Sequence, residues 1–145
     1  MPKKTTRITL AAFDGVYEFQ LNLAGMLLIE QKAECGIGAV YGQILRGRFR
    51  MEDGEEFGVP SEGAFSAKAL LEIVRQGLIF GGKGISDGKQ IEVNAWKANA
   101  LIDAYLSPDH GGNLLEAWNL ASAIMHAAIE GVGVPDDQQA DGSQE

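Results

Sequence analysis

Hydrophobic and polar residues alternate at the start of the chain, in two β-prone runs at residues 8–13 and 16–21. Asp14-Gly15 separates the runs, and this dipeptide is a strong hairpin signal because a type I′ turn needs positive φ at both central residues. With these two residues as the loop, the apolar face holds the pairs Ala12 with Tyr17, Leu10 with Phe19, and Ile8 with Leu21. The pattern predicts a half-buried hairpin, and an isolated hairpin is too weak to stand without helices against it.

After the hairpin, apolar residues recur at helical spacing in five segments. The predicted helices span about residues 23–35, 38–48, 67 to the glycines that begin at 81, 93–106 and 114–130. Asn22, Ser66 and Asn113 are the predicted N-caps, and Gly36 is expected to end the first helix in left-handed geometry.

The first and last of these helices are unusually apolar. The first is apolar on more than one side around Leu23 and residues 26–29, which predicts a helix wedged between the hairpin and another layer. The last has one narrow polar stripe, formed by Glu116, Asn119, Ala123, His126 and Glu130. This helix is expected either to form the centre of the core or to bind a partner with one of its apolar faces.

The predicted fold is mainly α with an N-terminal β-hairpin (α+β), in which about five helices pack on a two-stranded hairpin. Residues 1–7 are expected to form a flexible arm, residues 8–133 a single globular domain, and residues 134–145 a disordered acidic tail. Within the domain, residues 50–64 are predicted to be a charged surface loop, with a small hairpin around Asp53-Gly54 as the alternative. Residues 85–92 are expected to be a linker with a turn at Asp87-Gly88.

Composition narrows the class of protein. The chain has 145 residues, which suits one domain, and a net charge of −8, which argues against binding nucleic acid through phosphate contacts. Its single cysteine, Cys35, permits no internal disulfide, and no apolar run approaches the ~20 residues needed to span a membrane. We therefore expect a soluble cytoplasmic protein.

The segment from Gly77 to Lys83 matches the first seven positions of the phosphate-binding pattern G-x-x-x-x-G-K. The eighth position, which should be Ser or Thr to hold magnesium, is Gly84. A phosphate loop also follows a strand and opens a helix, whereas this segment closes one. We interpret it as a glycine-rich helix end with a lysine near the negative pole of the helix dipole.

Other patterns give no site for chemistry. The glycines at 36, 38 and 42 lack both the preceding strand and the spacing of a dinucleotide loop. His110, His126 and Cys35 are too few and too far apart in sequence to predict a metal site, and Cys35 lies at the wrong end of the helix dipole for an activated nucleophile. We expect no catalytic residue, no metal and no cofactor.

Three stretches of the chain resemble a known family. They are Phe19-Gln20-Leu21-Asn22-Leu23-Ala24-Gly25-Met26-Leu27-Leu28-Ile29-Glu30, then Gly63-Ala64-Phe65-Ser66-Ala67-Lys68-Ala69-Leu70 with Arg75-Gln76-Gly77-Leu78, and the alanine-rich helix from Ala117 to Gly131. The chain is similar over about residues 8–131 to the gene transfer agent and phage tail assembly chaperone family, whose members are also labelled phage tail tube proteins. The resemblance implies a protein without catalytic residues that coats the long tape-measure protein and keeps its apolar helices soluble during tail assembly.

A tape-measure helix is expected to bind by its apolar face, in a groove between the last helix and the helix at 38–48. Tyr41, Trp96 and Trp118 are the candidate anchors, because aromatic side chains supply much of the binding energy of interfaces. The alternative for each of them is packing in the core.

Three other functions are open. The protein could be a structural tail component that self-assembles, with the hairpin as a pairing edge. It could bind a nucleotide at residues 77–83. It could also bind DNA through Arg46, Arg48 and Arg50, although the acidic residues from Glu52 to Glu56 are expected to neutralise that patch.

Overall fold

In the computed structural model, which describes residues 3–134, the N-terminal hairpin belongs to a larger antiparallel sheet. The elements are, in chain order, β1 (Lys4–Thr5), β2 (Ile8–Ala12), β3 (Gly15–Phe19), α1 (Leu23–Ala33), α2 (Ile37–Leu45), β4 (Arg48–Arg50), β5 (Glu56–Gly58), α3 (Ala67–Gly81), β6 (Lys83–Ser86), β7 (Lys89–Glu92), α4 (Ala95–Tyr105), α5 (Leu114–Glu130) and β8 (Val132–Gly133). The predicted α+β fold class with five helices is confirmed.

The main sheet has the strand order β2-β3-β6-β7. Its second half, β6 and β7, turns at Asp87-Gly88, so the segment predicted to be a linker is a hairpin. Alternation is weak there, since Ile85 and Ile91 are the only large apolar residues of the two strands. The predicted hairpin is therefore one half of a four-stranded sheet, and α3 packs on its strand β3.

The register predicted for the first hairpin is wrong by two residues. Phe13 and Asp14 form the turn, so that the observed pairs are Ala12 with Gly15, Leu10 with Tyr17, and Ile8 with Phe19. Because the shift is an even number of residues, the same side chains still face the helices, and Tyr17 and Phe19 are fully buried.

Gly15 explains the shift. A Cβ at this position would lie 2.0 Å from the carbonyl oxygen of Ile85, so the close approach of β3 and β6 requires glycine here. The turn instead places Phe13 at φ 56°, in the left-handed region. The Tyr17 hydroxyl donates a hydrogen bond to the Asp14 carboxylate, which lowers the pKa of Asp14 and holds it in the turn.

The centre of the core is α3, not the last helix. Nine of the fifteen residues of α3 are buried, and it contacts α1, α4, α5 and β3. Gly77 lets α5 come close, since a Cβ there would lie 3.2 Å from Ile124. Gly81 lets α3 approach β3 closely, because a Cβ at this position would lie 2.0 Å from the carbonyl oxygen of Glu18.

Helix caps follow the prediction at the N-termini. The side-chain oxygens of Asn22, Ser66 and Asn113 each accept a hydrogen bond from a backbone N–H in the first turn of α1, α3 and α5. At the end of α1 the left-handed residue is Glu34, at φ 60°, rather than Gly36, which starts α2 with φ −69°.

Strands also form in two regions for which the sequence predicted a loop or a flexible arm. In the stretch predicted to be a charged loop, β4 and β5 make the small hairpin that was the alternative. In the predicted arm, β1 pairs with β8, which joins the two ends of the described chain. Residues 135–145, most of the predicted acidic tail, lie outside the described residues.

Candidate functional site

Trp118 lies in the core, so its prediction as a surface anchor is wrong. Its side chain is fully buried, and its indole N–H donates a hydrogen bond of 2.8 Å to the carbonyl oxygen of Ile44. The ring packs on Phe65 with 4.7 Å between centroids, and a Cβ at Gly58 would lie 2.6 Å from it. The indole thus seats the β4–β5 hairpin on α5.

Trp96 is an exposed residue in the first turn of α4. It keeps 76% of its surface in solvent, the largest exposed fraction of the large hydrophobic residues in the described part of the chain. The cap residue Asn94, which accepts from the Lys97 N–H at 2.9 Å, fixes the start of the helix and hence the position of the indole. Trp96 is not among the residues of the groove predicted between α2 and α5.

The predicted groove exists as a cleft of about 520 Å³ whose floor is the polar stripe of α5. Strand β2 forms one wall, and α2 with the β4–β5 hairpin forms the other. We call it the α5 cleft, and its lining residues are Ile8, Leu10, Tyr41, Leu45, Arg48, Arg50, Glu56, Asn119, Ser122, Ala123, His126, Glu130 and Val132. Of the three predicted anchors, only Tyr41 lies in it.

Tyr41 closes one end of the α5 cleft through hydrogen bonds to α5. Its hydroxyl donates to the Glu130 carboxylate, and its oxygen lies 3.2 Å from Nδ1 of His126. Burial of the phenol and the bond to Glu130 raise the pKa of Tyr41 to about 12. The same bond lowers the pKa of Glu130, so this end of the cleft carries a negative charge at neutral pH.

Arg48 also lines the cleft, and the sequence singled it out only as part of a basic patch with Arg46 and Arg50. Its guanidinium lies 4.9 Å from the centre of the Trp118 ring, and Nη1 donates to Oδ1 of Asn119 at 3.0 Å. Burial lowers the pKa of Arg48. Among residues 3–134, no carboxylate oxygen lies within 4.0 Å of a guanidinium nitrogen of Arg48, whereas Arg50 pairs with Glu56 at 3.1 Å. The alternation of Arg48, Phe49 and Arg50 was the available signal, since it sends both arginines to one face of a strand.

A second surface feature is an apolar patch on α1. Gly25 and Ile29 are buried, but Leu23 is 71% exposed and Leu27 is 57% exposed on the opposite side. Ala24 and Leu28 complete the patch, which we call the α1 apolar face. The sequence predicted apolar residues on more than one side of this helix. However, α1 packs on α3 and α2 rather than on the hairpin. No element of the described chain covers the side that carries Leu23 and Leu27.

A smaller apolar patch lies on the outer side of the β4–β5 hairpin. Phe49 and Phe57 are cross-strand partners with ring centroids 5.7 Å apart, and each keeps more than two-fifths of its surface exposed. Apolar and polar residues alternate poorly in this stretch, so the sequence predicted a loop here and gave no indication of this aromatic pair.

The glycines of the segment from Gly77 to Lys83 serve packing. Gly77 and Gly81 are buried against α5 and β3, and Gly82 caps α3 at φ 77°. Lys83 begins β6 and lies 3.7 Å from the Glu18 carboxylate. The segment closes a helix, as the sequence indicated.

Between residues 3 and 134, no helix has the length and apolar character needed to cross a membrane. In that range, no three or more His, Cys, Asp or Glu side chains are grouped so that they could hold a metal ion.

Comparison with known proteins gives no assignment. No family model, no curated protein and no solved structure matches the chain.

Proposed function

We propose that this protein is a non-enzymatic tail assembly chaperone of phage type, which acts in the cytoplasm and binds an apolar helical segment of the tape-measure protein. The observation that carries the proposal is the α1 apolar face. A Leu-rich surface opposite the buried side of a helix leaves apolar area that water solvates poorly. A partner that covers it would supply the layer that α1 lacks.

The arrangement of this face suits a helical partner. Leu23 and Leu27 are four residues apart, as are Ala24 and Leu28, so the side chains form two adjacent ridges along the helix. Ridges of this kind pack into the grooves of a second amphipathic helix. Burial of a fully exposed leucine contributes about 1.5–3 kcal/mol, and Leu23 and Leu27 each have more than half of their surface still to bury, so together they can anchor such a partner.

The charge of the chain is consistent with this role. A net charge of −8 keeps a protein with exposed apolar surface dispersed and disfavours contact with DNA. The resemblance to the tail assembly chaperone family, carried by residues that include the start of α1, favours the same kind of partner.

The test is co-expression with the longest helical, tape-measure-like protein encoded nearby, measuring both its retention on the tagged chain and its solubility. We expect retention and solubilisation by the wild-type chain, and loss of both when Leu23→Asp and Leu27→Asp are combined. Leu115→Asp is the matched control, because Leu115 is 43% exposed near the start of α5, outside the α1 apolar face. Equal retention by the double variant and the wild type would refute the role of α1.

A structural tail component that self-assembles is the second candidate. Val16 and Ile85 are neighbouring partners on the outer face of the main sheet, and both are exposed. Strand β7 has no neighbouring strand on its outer side within residues 3–134, so another copy could pair there. Light scattering separates the candidates: rings or tubes formed by the chain alone favour the structural role, and small discrete species favour the chaperone.

A further inference from the structure

The main sheet has two free edges in the described chain, β2 on one side and β7 on the other. Along an antiparallel ladder, residues that bond the neighbouring strand alternate with residues whose backbone groups point away from it. The turns fix this alternation, because the residues that flank a two-residue loop bond each other. The N–H and C=O groups of Thr9 and Ala11 on β2, and of Gln90 and Glu92 on β7, therefore point outward. Within residues 3–134, none of these four residues makes a backbone hydrogen bond outside the ladders.

The two edges run in opposite directions. Every neighbouring pair in the order β2-β3-β6-β7 is antiparallel, so β2 and β7 are antiparallel to each other. A second copy of the chain, placed beside the first in the same orientation, therefore brings its β2 antiparallel to β7 of the first copy. The helices of both copies then lie on the same face of the joined sheet.

One register satisfies all of the outward backbone groups. It pairs Thr9 with Glu92 and Ala11 with Gln90 across the two copies. Each of these pairs exchanges two hydrogen bonds, and the residues between them come close together. Those residues are Leu10 and Ile91, and both side chains belong to the inner face of the sheet, which the helices cover. The register therefore places apolar side chains against each other on the inner face.

Charges on the outer face favour this head-to-tail arrangement. Arg7 and Lys83 both lie next to Glu18 on that face. Glu92 is the cross-strand partner of Lys83, so the signs of the charges alternate from β2 to β7. In the joined sheet, Glu92 lies diagonal to Arg7 of the next copy, and the alternation continues. Pairing of two β7 strands about Ile91 would instead bring the two Glu92 side chains to diagonal positions, where like charges repel.

A second charged contact forms on the inner face. Ala12 and the exposed Glu116 line the same small cavity, of about 170 Å³. The register places Lys89 of one copy opposite Ala12 of the next. The ammonium group of Lys89 therefore comes next to the Glu116 carboxylate, and the two edges are complementary in charge on both faces of the sheet.

We propose that copies of this chain associate head to tail, with β7 of one copy paired with β2 of the next, so that the main sheet continues from copy to copy. A contact of this kind gives rings where the rotation closes and filaments where it does not. The inference rests on the second candidate function, the self-assembling structural role, and names the two strands, the register and the charges that would carry it. It makes no use of the α1 apolar face.

The experiment is disulfide trapping between two variants of the full chain, both with Cys35→Ser. One carries Leu10→Cys, and the other, which has a longer affinity tag, carries Ile91→Cys. The two positions face each other in a non-hydrogen-bonded pair, and a Cα separation of about 4.5 Å in such pairs suits a disulfide. After mixing and mild oxidation, we expect the mixed species to exceed the proportion that random collisions give. Predominant homodimers of either variant, random proportions or no cross-link would each overturn the proposal.

Sedimentation equilibrium tests the same contact without cysteines at the edges. The wild-type chain should associate increasingly as its concentration rises. Thr9→Pro should weaken this association about fivefold, because it removes one outward N–H and leaves the ladder with β3 intact. Thr9→Val keeps that N–H and is the matched control. A wild-type chain that stays monomeric, or equal association of the two Thr9 variants, would contradict the pairing of β2.

A charge exchange tests the register. Lys89→Glu should weaken association about two- to fivefold, and Glu116→Lys added to the same chain should restore it, because the two charges change places across the junction. Lys68→Glu, on α3, changes the net charge by the same amount and should leave association unchanged. Equal weakening by Lys68→Glu and Lys89→Glu, or no recovery in the double variant, would overturn the register. These measurements need no tape-measure protein, so their failure is distinct from failure of the α1 apolar face in the co-expression test.

Discussion

Helices α1 and α5 have similarly apolar sequences but very different surroundings. On α5, Trp118, Ile124 and Met125 are almost completely buried against neighbours that include α3 and α2. On α1, Ile29 is buried on one side while Leu23 and Leu27 face solvent on the other. Excess apolar surface is thus covered within the chain in the first case and left open in the second.

The difference shows what an apolar pattern measures. The pattern predicts how much of a helix surface is apolar, but not whether the same chain or a partner buries that surface. On α5 the apolar surface is covered by α3, α2 and the β4–β5 hairpin, whereas no described element covers the outer side of α1. The uncovered side is therefore the better guide to a partner surface.

The strongest test of this contrast is the pair Trp118→Ala and Trp96→Ala. Removal of the buried indole should lower the free energy of unfolding by about 3–5 kcal/mol, because it leaves a cavity and unpairs the carbonyl of Ile44. Removal of the exposed indole should change it by no more than about 0.5 kcal/mol. Urea denaturation followed by far-ultraviolet circular dichroism measures both, and similar losses in the two variants would contradict the burial contrast.

Within α1, the two sides can be compared directly. Ile29→Ala should cost about 2–5 kcal/mol of unfolding free energy, since the side chain is fully buried against the core. Leu27→Ala should cost less than about 1 kcal/mol in the isolated chain, because the side chain is more than half exposed. The same denaturation measurement decides this. A large loss for Leu27→Ala would mean that the outer side is covered in solution, for example by a second copy.

Glycines extend the comparison from side chains to backbone packing. Gly81→Ala should destabilise the protein by about 1–3 kcal/mol, because its Cβ would meet the Glu18 carbonyl oxygen at 2.0 Å. Gly38→Ala is the matched change in α2, where a Cβ meets nothing within 4 Å. It should stabilise the protein by about 0.5–1 kcal/mol through helix propensity. In thermal unfolding, we expect Gly81→Ala to lower the Tm and Gly38→Ala to raise it.

The smallest effect concerns the polar side of α5. The raised pKa of Tyr41 means that its stabilising contribution is complete below pH 10.0, its ordinary value, and disappears as the pH rises to about 12. The lowered pKa of Glu130 means that its contribution is complete above 4.5 and disappears as the pH falls through the folded-state value. The stability difference between wild type and Tyr41→Phe should therefore be constant from about pH 5 to 9 and shrink on either side. A difference that does not vary with pH would contradict the Tyr41–Glu130 bond.

Helices were the easiest part of the fold to predict from the sequence, because period and caps act locally. The bounds of α1 and α5 and the caps at Asn22 and Asn113 needed no knowledge of distant residues. The sheet was harder. Gly15 was assigned to the turn because its neighbour in β6 is about seventy residues away and invisible to local reasoning.

The candidate site divides in the same way. The groove was expected between the apolar stripes of α2 and α5, whereas the cleft found there has the polar stripe of α5 as its floor, and Tyr41 lies in its lining. Trp118 was misassigned, because a stripe position does not reveal that a glycine-containing strand will pack on the ring. The position of Arg48 in the cleft was missed for the same reason, since its contacts with Trp118 and Asn119 join residues about seventy positions apart.

The pairing of β1 with β8 has a mechanical consequence. Lys4 pairs with Gly133 and Thr5 with Val132, so the two strands run in opposite directions and leave the pair on the same side. Tension applied at residues 3 and 134 would load these few hydrogen bonds one after another, as in a zipper, rather than all at once in shear. The junction should open at low force while the four-stranded sheet and α3 stay folded. It would then act as the first link to yield if the protein is pulled by its two ends.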